Sequence, residues 1–248
     1  MKNNINVIGI IPARGGSERL KDKNILPLLG KPLVAYTIEA ALNAEKLDRV
    51  FVSTESDRIA ETALTYGAEL VRRSPELATA TAPLDAALRH VVTYLEDTEG
   101  YVAEIAVLMQ ANIPIRAEGV INKVVTRLIE TGAETVATAF EINQRPEWMK
   151  RMLDERAVPY MSPSDLDRMQ DLETLYLLDG AVVAIRVDTL MRTQGNNKVH
   201  AYMGEDIRLV LQDKIYSVEI DTPDDLWLAE CLLRGMQWQN RDDDALPS

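Results

Sequence analysis

Arg14, Arg19, Lys21 and Lys23 fall within ten positions of one another, in a segment that also holds Gly15, Gly16, Ser17 and Asn24. Four cationic side chains around two glycines can hold an anion. Glycines let backbone N–H groups approach closely, and guanidinium and ammonium groups neutralise phosphate. The cluster runs against the chain as a whole, whose 27 basic and 39 acidic residues leave a net charge of -12. A basic turn that merely faces solvent is the plain alternative. The segment lacks the Gly-Lys-Ser/Thr ending of a P-loop and the G-x-G-x-x-G of a dinucleotide fold, which disfavours an ATPase or a dehydrogenase. Far along the chain stand Glu219 and Asp221, one residue apart. On a strand, side chains two apart share a face. Two carboxylates so placed suit Mg2+, which takes oxygen ligands together with phosphate oxygens. Taken alone, Glu-x-Asp before a helix is a helix-start signal; beside a basic loop it reads as a metal site.

The elements that must bring these groups together follow from apolar spacing. Residues 5–11 form an apolar run that reads as a buried strand ending at the basic loop. Pro32, as a first helical residue, opens a helix with Leu33, Tyr36, Ala40 and Ala44 on one face. Residues 50–54 read as a strand, 57–66 as a helix closed by Gly67, and 69–71 as a short strand. Pro83 opens a helix to about residue 95, followed by a strand over 105–109, a helix over 119–131 and a strand over 135–140. Such alternation implies a mostly parallel sheet covered by helices. Ligands of such sheets bind outside the carboxyl ends of the strands, so Arg14, Thr54 and Gln110 are expected at one edge. The rhythm breaks over 141–179, where residues 144–148 and Ser162-Pro163-Ser164 interrupt any long element. Core strands are expected again at 181–185 and 214–218. Thr222-Pro223-Asp224-Asp225 fits an N-cap, a first-turn proline and helix-start carboxylates, with a helix running to Gly235. The polar, acidic residues 236–248 are expected to be disordered.

Composition narrows the class. A chain of 248 residues with 46% hydrophobic and 27% charged residues is ordinary for a soluble globular protein. It has no apolar stretch of about eighteen residues, and Met1-Lys2-Asn3-Asn4 is unlike a signal peptide, so no membrane contact and a cytoplasmic location are expected. The single Cys231, expected to be a buried core thiol, excludes an intramolecular disulfide and a cysteine metal cluster. The acidic balance argues against nucleic acid as a partner. Neither His90 nor His200 is assigned a catalytic role.

Four segments carry a resemblance. Ile11-Pro12-Ala13-Arg14-Gly15-Gly16-Ser17, with Lys23-Asn24 beyond it, resembles the signature loop I-P-A-R-x-x-S and Lys-Asn of the CMP-sugar synthetases, the acylneuraminate and KDO cytidylyltransferases. Arg72-Arg73-Ser74-Pro75-Glu76-Leu77-Ala78 resembles their R-P-x-E-L-A segment, whose arginine lies near the cytosine; on charge alone Arg73 reads as an exposed strand-end residue. Residues 108–116 resemble L-Q-x-T-S-P-L-R, and residues 218–226 resemble I-D-I-D-T-x-x-D-L. The matches lie in family order to about Gly235. The resemblance implies a three-layer, Rossmann-like α/β fold of the nucleotide-diphospho-sugar transferase type, formed by residues 1–140 and 180–235. Residues 141–179 would be a small inserted extension that builds a homodimer and one wall of the sugar pocket. It further implies Mg2+-dependent transfer from CTP to a 2-keto sugar acid, a nonulosonate such as N-acetylneuraminate, legionaminate or pseudaminate. Arg14 and Lys23 would hold the triphosphate, with Asp221 and Glu219 on Mg2+. Ala13, Gly15, Ser17, Arg19, Asn24 and Arg73 would complete the nucleotide site, and Gln110, Asn112, Arg168 and Asp179 would face the sugar.

The chain departs from the family pattern at the phosphate loop, at the metal pair and on the acceptor side. Glu18 stands where acylneuraminate enzymes carry a lysine, with Arg19 beside it as in the KDO branch. Glu219 replaces an aspartate, Asn112-Ile113 replaces a threonine-serine pair, Asp179 an asparagine and Val183 a tyrosine. Two other readings remain open. One is a nucleotidyltransferase of the same fold with a KDO-like, phosphorylated or phosphonate acceptor, for which Arg116 and Arg168 are the basic candidates near Gln110. The other is a nucleotide-binding homologue without turnover, motivated by Glu18 and Glu219.

Overall fold

Alternating apolar residues build the sheet from its centre outward. In β1 (Val7–Pro12), Val7 and Ile11 point into one apolar cluster while Ile8 and Ile10 point into another, as the two-residue period of a strand requires. A computed structural model describes residues 5–17, 19–161, 173–196 and 198–243. After β1 the chain makes a two-residue pair, β2 (Pro27–Leu28) and β3 (Lys31–Pro32), then α1 (Leu33–Leu42), β4 (Arg49–Thr54), α2 (Asp57–Thr65) and β5 (Glu69–Arg72). It continues through α3 (Leu84–Glu99), β6 (Ile105–Leu108), α4 (Val120–Thr131) and β7 (Thr135–Glu141). A hairpin of β8 (Lys150–Leu153) and β9 (Arg156–Pro159) precedes β10 (Tyr176–Arg186), α5 (Val187–Arg192), β11 (Ile207–Leu211) and α6 (Pro223–Asp243).

Seven strands pair in the order β11-β7-β10-β6-β1-β4-β5. β1 runs parallel to β4 and β6, β4 to β5, and β7 to β11; β10 alone is antiparallel to both its neighbours. One face is covered by α1, α2 and α4 through Val34, Ile38, Ile59, Val124 and Leu128. The other is covered by α3 and α5 through Leu88, Val91, Leu95 and Leu190. The result is the three-layer α/β arrangement expected from the alternation. A third cluster, Leu28, Leu33, Ile115, Ile220 and Ala229, packs α6 against β2 and the start of α1.

Several expectations are corrected. Residues 214–218 are no strand: Lys214–Tyr216 is a single 3-10 turn, and Tyr216 and Val218 pack against the α6 cluster instead. The strand in that region is β11, at the sheet edge, where only Val210 is buried and the alternation is therefore faint. Pro32 and Pro83 are the N-cap residues of α1 and α3 rather than their first helical residues. The buried residues of α1 are Leu33, Val34, Ala35, Thr37, Ile38 and Ala41, while Tyr36 and Ala40 are only partly buried. Cys231 is exposed, because Ala229 and Leu233 take the inward positions of α6. That helix continues past Gly235 to Asp243, into the stretch expected to be disordered. The break after β7 holds the β8–β9 hairpin, whose turn residues Asp154 and Glu155 both have positive φ, as a two-residue type I′ turn requires. The interruption at Ser162-Pro163-Ser164 lies outside the described residues, as do Arg168, Glu18 and residues 244–248. Among the described residues no helix is long and apolar enough to cross a membrane.

Candidate nucleotide and metal site

The basic loop leaves the carboxyl end of β1 with its backbone fixed at three points. The Ala13 amide extends the strand pairing by donating to the Ser53 carbonyl at 3.0 Å. The Gly15 amide donates to Glu55 Oε1 at 2.6 Å. A Cβ at Gly15 would stand 2.9 Å from the Ser56 Cβ, so only glycine lets the loop lie on the turn between β4 and α2. Asn24, 6% exposed, donates through Nδ2 to the Arg14 carbonyl at 2.9 Å and closes the loop on itself. Arg14, Ser17, Arg19, Lys23 and Asn24 thereby line one cleft of about 440 Å³. Arg73, Gln110, Asn112, Glu219 and Asp221 line the same cleft. Ala13 is buried behind it, and the Gly15 amide is committed to Glu55.

Arg73 is not the exposed residue that charge alone suggests. It is 8% exposed and donates through Nε to Glu55 Oε2 at 3.3 Å. Burial pushes the pKa of its guanidinium below the ordinary value; the charge of Glu55 opposes that fall, and the nearby Arg14 adds to it. Nothing in the sequence singles out Glu55. It stands 40 residues from Gly15 and 18 from Arg73, and no local pattern marks a carboxylate that joins them.

The two carboxylates reach the cleft without a strand. Ile220 is fully buried, and its amide donates to the Asn112 carbonyl at 2.8 Å. Ile220 faces inward, and Glu219 and Asp221 on either side of it both face the cleft. The Asn112 amide bridges them, donating to Glu219 Oε1 at 2.9 Å and lying 3.4 Å from Asp221 Oδ1. Lys23 Nζ meets Asp221 Oδ1 at 2.5 Å, and Arg19 lies 3.6 Å from Asp221 Oδ2. Helix capping falls to another pair. Asp225 Oδ2 accepts from the Asp221 and Thr222 amides at 3.1 and 2.8 Å, while the Asp225 amide donates back to Thr222 Oγ1 at 3.3 Å. Glu219 and Asp221 are thus free of the cap, and a cation already rests on Asp221 in the form of the Lys23 ammonium. Among the described residues no group of three or more His, Cys, Asp or Glu side chains converges. A divalent ion here would use these two carboxylates and complete its shell with ligand and water oxygens, the habit of Mg2+.

The acceptor-side expectations fare differently. Gln110 lines the cleft, and its amide rests on Gly180, where φ is +70° and a Cβ would collide with it. Asn112 lines the cleft but spends its amide on the carboxylates. Asp179 is turned away. Its Oδ1 accepts from Thr138 Oγ1 at 2.5 Å and the Ala181 amide at 2.9 Å, and its Oδ2 from Gln212 Nε2 at 2.6 Å and Ser217 Oγ at 3.0 Å. Arg116 is likewise occupied. It donates to the carbonyls of Gln110, Ile113 and Ala181 and to Thr37 Oγ1, and enclosure pushes its pKa down to about 9, which still leaves it cationic at neutral pH. Arg168 lies outside the described residues. Neither His90 nor His200 lines the cleft.

A family model described as Cytidylyltransferase matches residues 8–229. An N-acylneuraminate cytidylyltransferase of Streptococcus agalactiae serotype V is 32% identical over 223 residues, 88% of this chain and 51% of that protein. This chain therefore spans about half the length of such relatives. A CMP-N,N'-diacetyllegionaminic acid synthase of Legionella pneumophila is 30% identical over 235 residues, 92% of this chain and 96% of that protein. Among solved structures, a CMP:2-keto-3-deoxy-manno-octonic acid synthetase complexed with CTP shares the fold at a TM-score of 0.67 and 19% identity, covering 93% of this chain and 99% of that one.

Proposed function

This chain belongs to the cytidylyltransferase family, and we propose that it is a Mg2+-dependent cytidylyltransferase that joins CMP from CTP to a 2-keto sugar acid of the nonulosonate class, releasing pyrophosphate. One observation carries the proposal: Lys23 and Asp221 meet at 2.5 Å, which brings phosphate-neutralising and metal-binding groups to one point of one cleft. The names of the relatives, which include sialic and legionaminic acid enzymes, support the acceptor class.

Arg14 and Lys23 bind the triphosphate, with Arg19 beside them, and Asn24 keeps the Arg14 backbone in place. Ser17, Arg73 and the Ala13 backbone complete the nucleotide site. Glu219 and Asp221, aligned by Asn112, hold Mg2+, which when bound neutralises and polarises the phosphates. A hydroxyl of the sugar acid, positioned beside Gln110, forms a bond to the α-phosphorus and gives up its proton to water. The α–β phosphoanhydride bond breaks in line, and pyrophosphate departs with the electron pair. The protein's contribution is positioning and charge neutralisation. A phosphorylated acceptor would need a second cationic cluster, and the guanidinium of Arg116 already serves four acceptors. The enzyme works as a homodimer through the β8–β9 extension, where Met152, Leu153 and Tyr160 are 71%, 56% and 64% exposed. It acts in the cytoplasm, where CTP is made.

The test is pyrophosphate release with Mg2+ and each of the four common NTPs. The acceptors are N-acetylneuraminate, legionaminate, pseudaminate, KDO and a sugar 1-phosphate. Turnover confined to CTP with a nonulosonate is expected. Turnover only with a phosphorylated acceptor, or none with CTP, would overturn the proposal.

A further inference from the structure

We propose that Glu55 is a positioning residue that ties the basic loop to Arg73, so that the two sides of the nucleotide cleft keep a fixed separation before ligand arrives. The proposal rests on the reading of the cleft as a CTP site. Glu55 does not line the cleft. Each of its carboxylate oxygens instead holds a group on one side of it: Oε1 takes the Gly15 amide at 2.6 Å and Oε2 takes Arg73 Nε at 3.3 Å. The carboxylate is 22% exposed and the Arg73 side chain 5%, so both interactions are shielded from bulk water.

Charge gives the tether its purpose. Arg14 and Arg73 carry like charges into a partly buried space, and the charge of Arg14 disfavours that of Arg73. Glu55 is the carboxylate that meets Arg73, and it holds the guanidinium by Nε, which leaves the two terminal nitrogens for a ligand. The loop comes too close to the β4–α2 turn for any residue but glycine at position 15. Loop position is therefore set by the same turn that carries Glu55. A misplacement of binding groups by about an ångström can cost as much as a hundredfold in rate, so a residue that touches no substrate can still govern its use.

The test reads two quantities on the full chain: amide hydrogen exchange at residues 14–17 without nucleotide, and the KM and kcat for CTP. In Glu55→Ala, exchange at Gly15 should rise about tenfold and the KM for CTP should rise about tenfold with a smaller change in kcat. Exchange in β1 and β6 should be unchanged. Glu55→Gln separates the two halves. Its amide oxygen can still accept from Gly15, so protection should survive, while the KM rises because the amide cannot pair with Arg73. Wild-type exchange and KM in both variants would overturn the proposal. So would faster exchange across the whole sheet in both variants, which would make Glu55 a residue of general stability. Faster Gly15 exchange in Glu55→Ala from a wild type that shows no CTP turnover would keep the tether and refute the proposed function instead.

Discussion

Asp179 accepts four hydrogen bonds from Thr138, Ala181, Gln212 and Ser217, which makes it a brace between β7, β10 and the segment that follows β11. Asp179→Asn should therefore cost about 1–3 kcal/mol of stability, since an amide NH2 would confront another donor. The KM for CTP should stay within about twofold of wild type. Thermal unfolding and steady-state kinetics check both; a large loss of acceptor binding with no loss of stability would restore Asp179 to the sugar site. At this scale the sequence showed what spacing can show. Arg14, Lys23 and Asn24 sit close along the chain, and Glu219 and Asp221 are two apart. Pairs closed by folding left no trace. Asn112 lies 107 residues from Glu219, and Glu55 lies 40 from Gly15, so neither partnership has a local pattern. At Asp179, an acid beside a glycine turn gives no sign in the sequence of which way it faces.

At the scale of elements, the start of α6 fixes the carboxylates. Asp225 caps the helix and also takes the Asp221 amide. Burial alone would raise its pKa, but hydrogen bonds from Thr222 and the Asp221 and Thr222 amides hold it below the ordinary range. A carboxylate with a depressed folded pKa stabilises the fold fully above its unfolded value, about pH 4, and loses that contribution as pH falls through the folded value. Thr222→Ala should cost about 1 kcal/mol near neutral pH, or roughly 2–4 °C in melting temperature. The gap from wild type should narrow below about pH 4. Melting curves across that range check it; a constant gap would place the loss in packing instead. Most elements were legible because buried parallel strands and capped helices carry strong apolar periods. β11 was not, since an edge strand with one buried side chain has no such period. Residues 214–218 carry a strand-like composition, but Tyr216 and Val218 satisfy it by packing on α6.

For the molecule as a whole, an acidic chain of net charge -12 gathers Arg14, Arg19, Lys23 and Arg73 in one cleft and places two carboxylates beside them. The β8–β9 hairpin projects the exposed apolar side chains of Met152 and Leu153. Met152→Glu should shift the protein from twice the chain mass to the chain mass in light scattering after gel filtration; an unchanged mass would place any assembly elsewhere. In the proposed reaction Asp221 and Lys23 would together hold a metal-bound triphosphate. The most direct test is kcat/KM for CTP in Asp221→Asn, measured with saturating Mg2+ and an acceptor that wild type uses. A fall of about a hundredfold or more is expected, with the melting temperature held close to that of wild type. Activity within about twofold of wild type, in a variant folded as well as wild type, would contradict it.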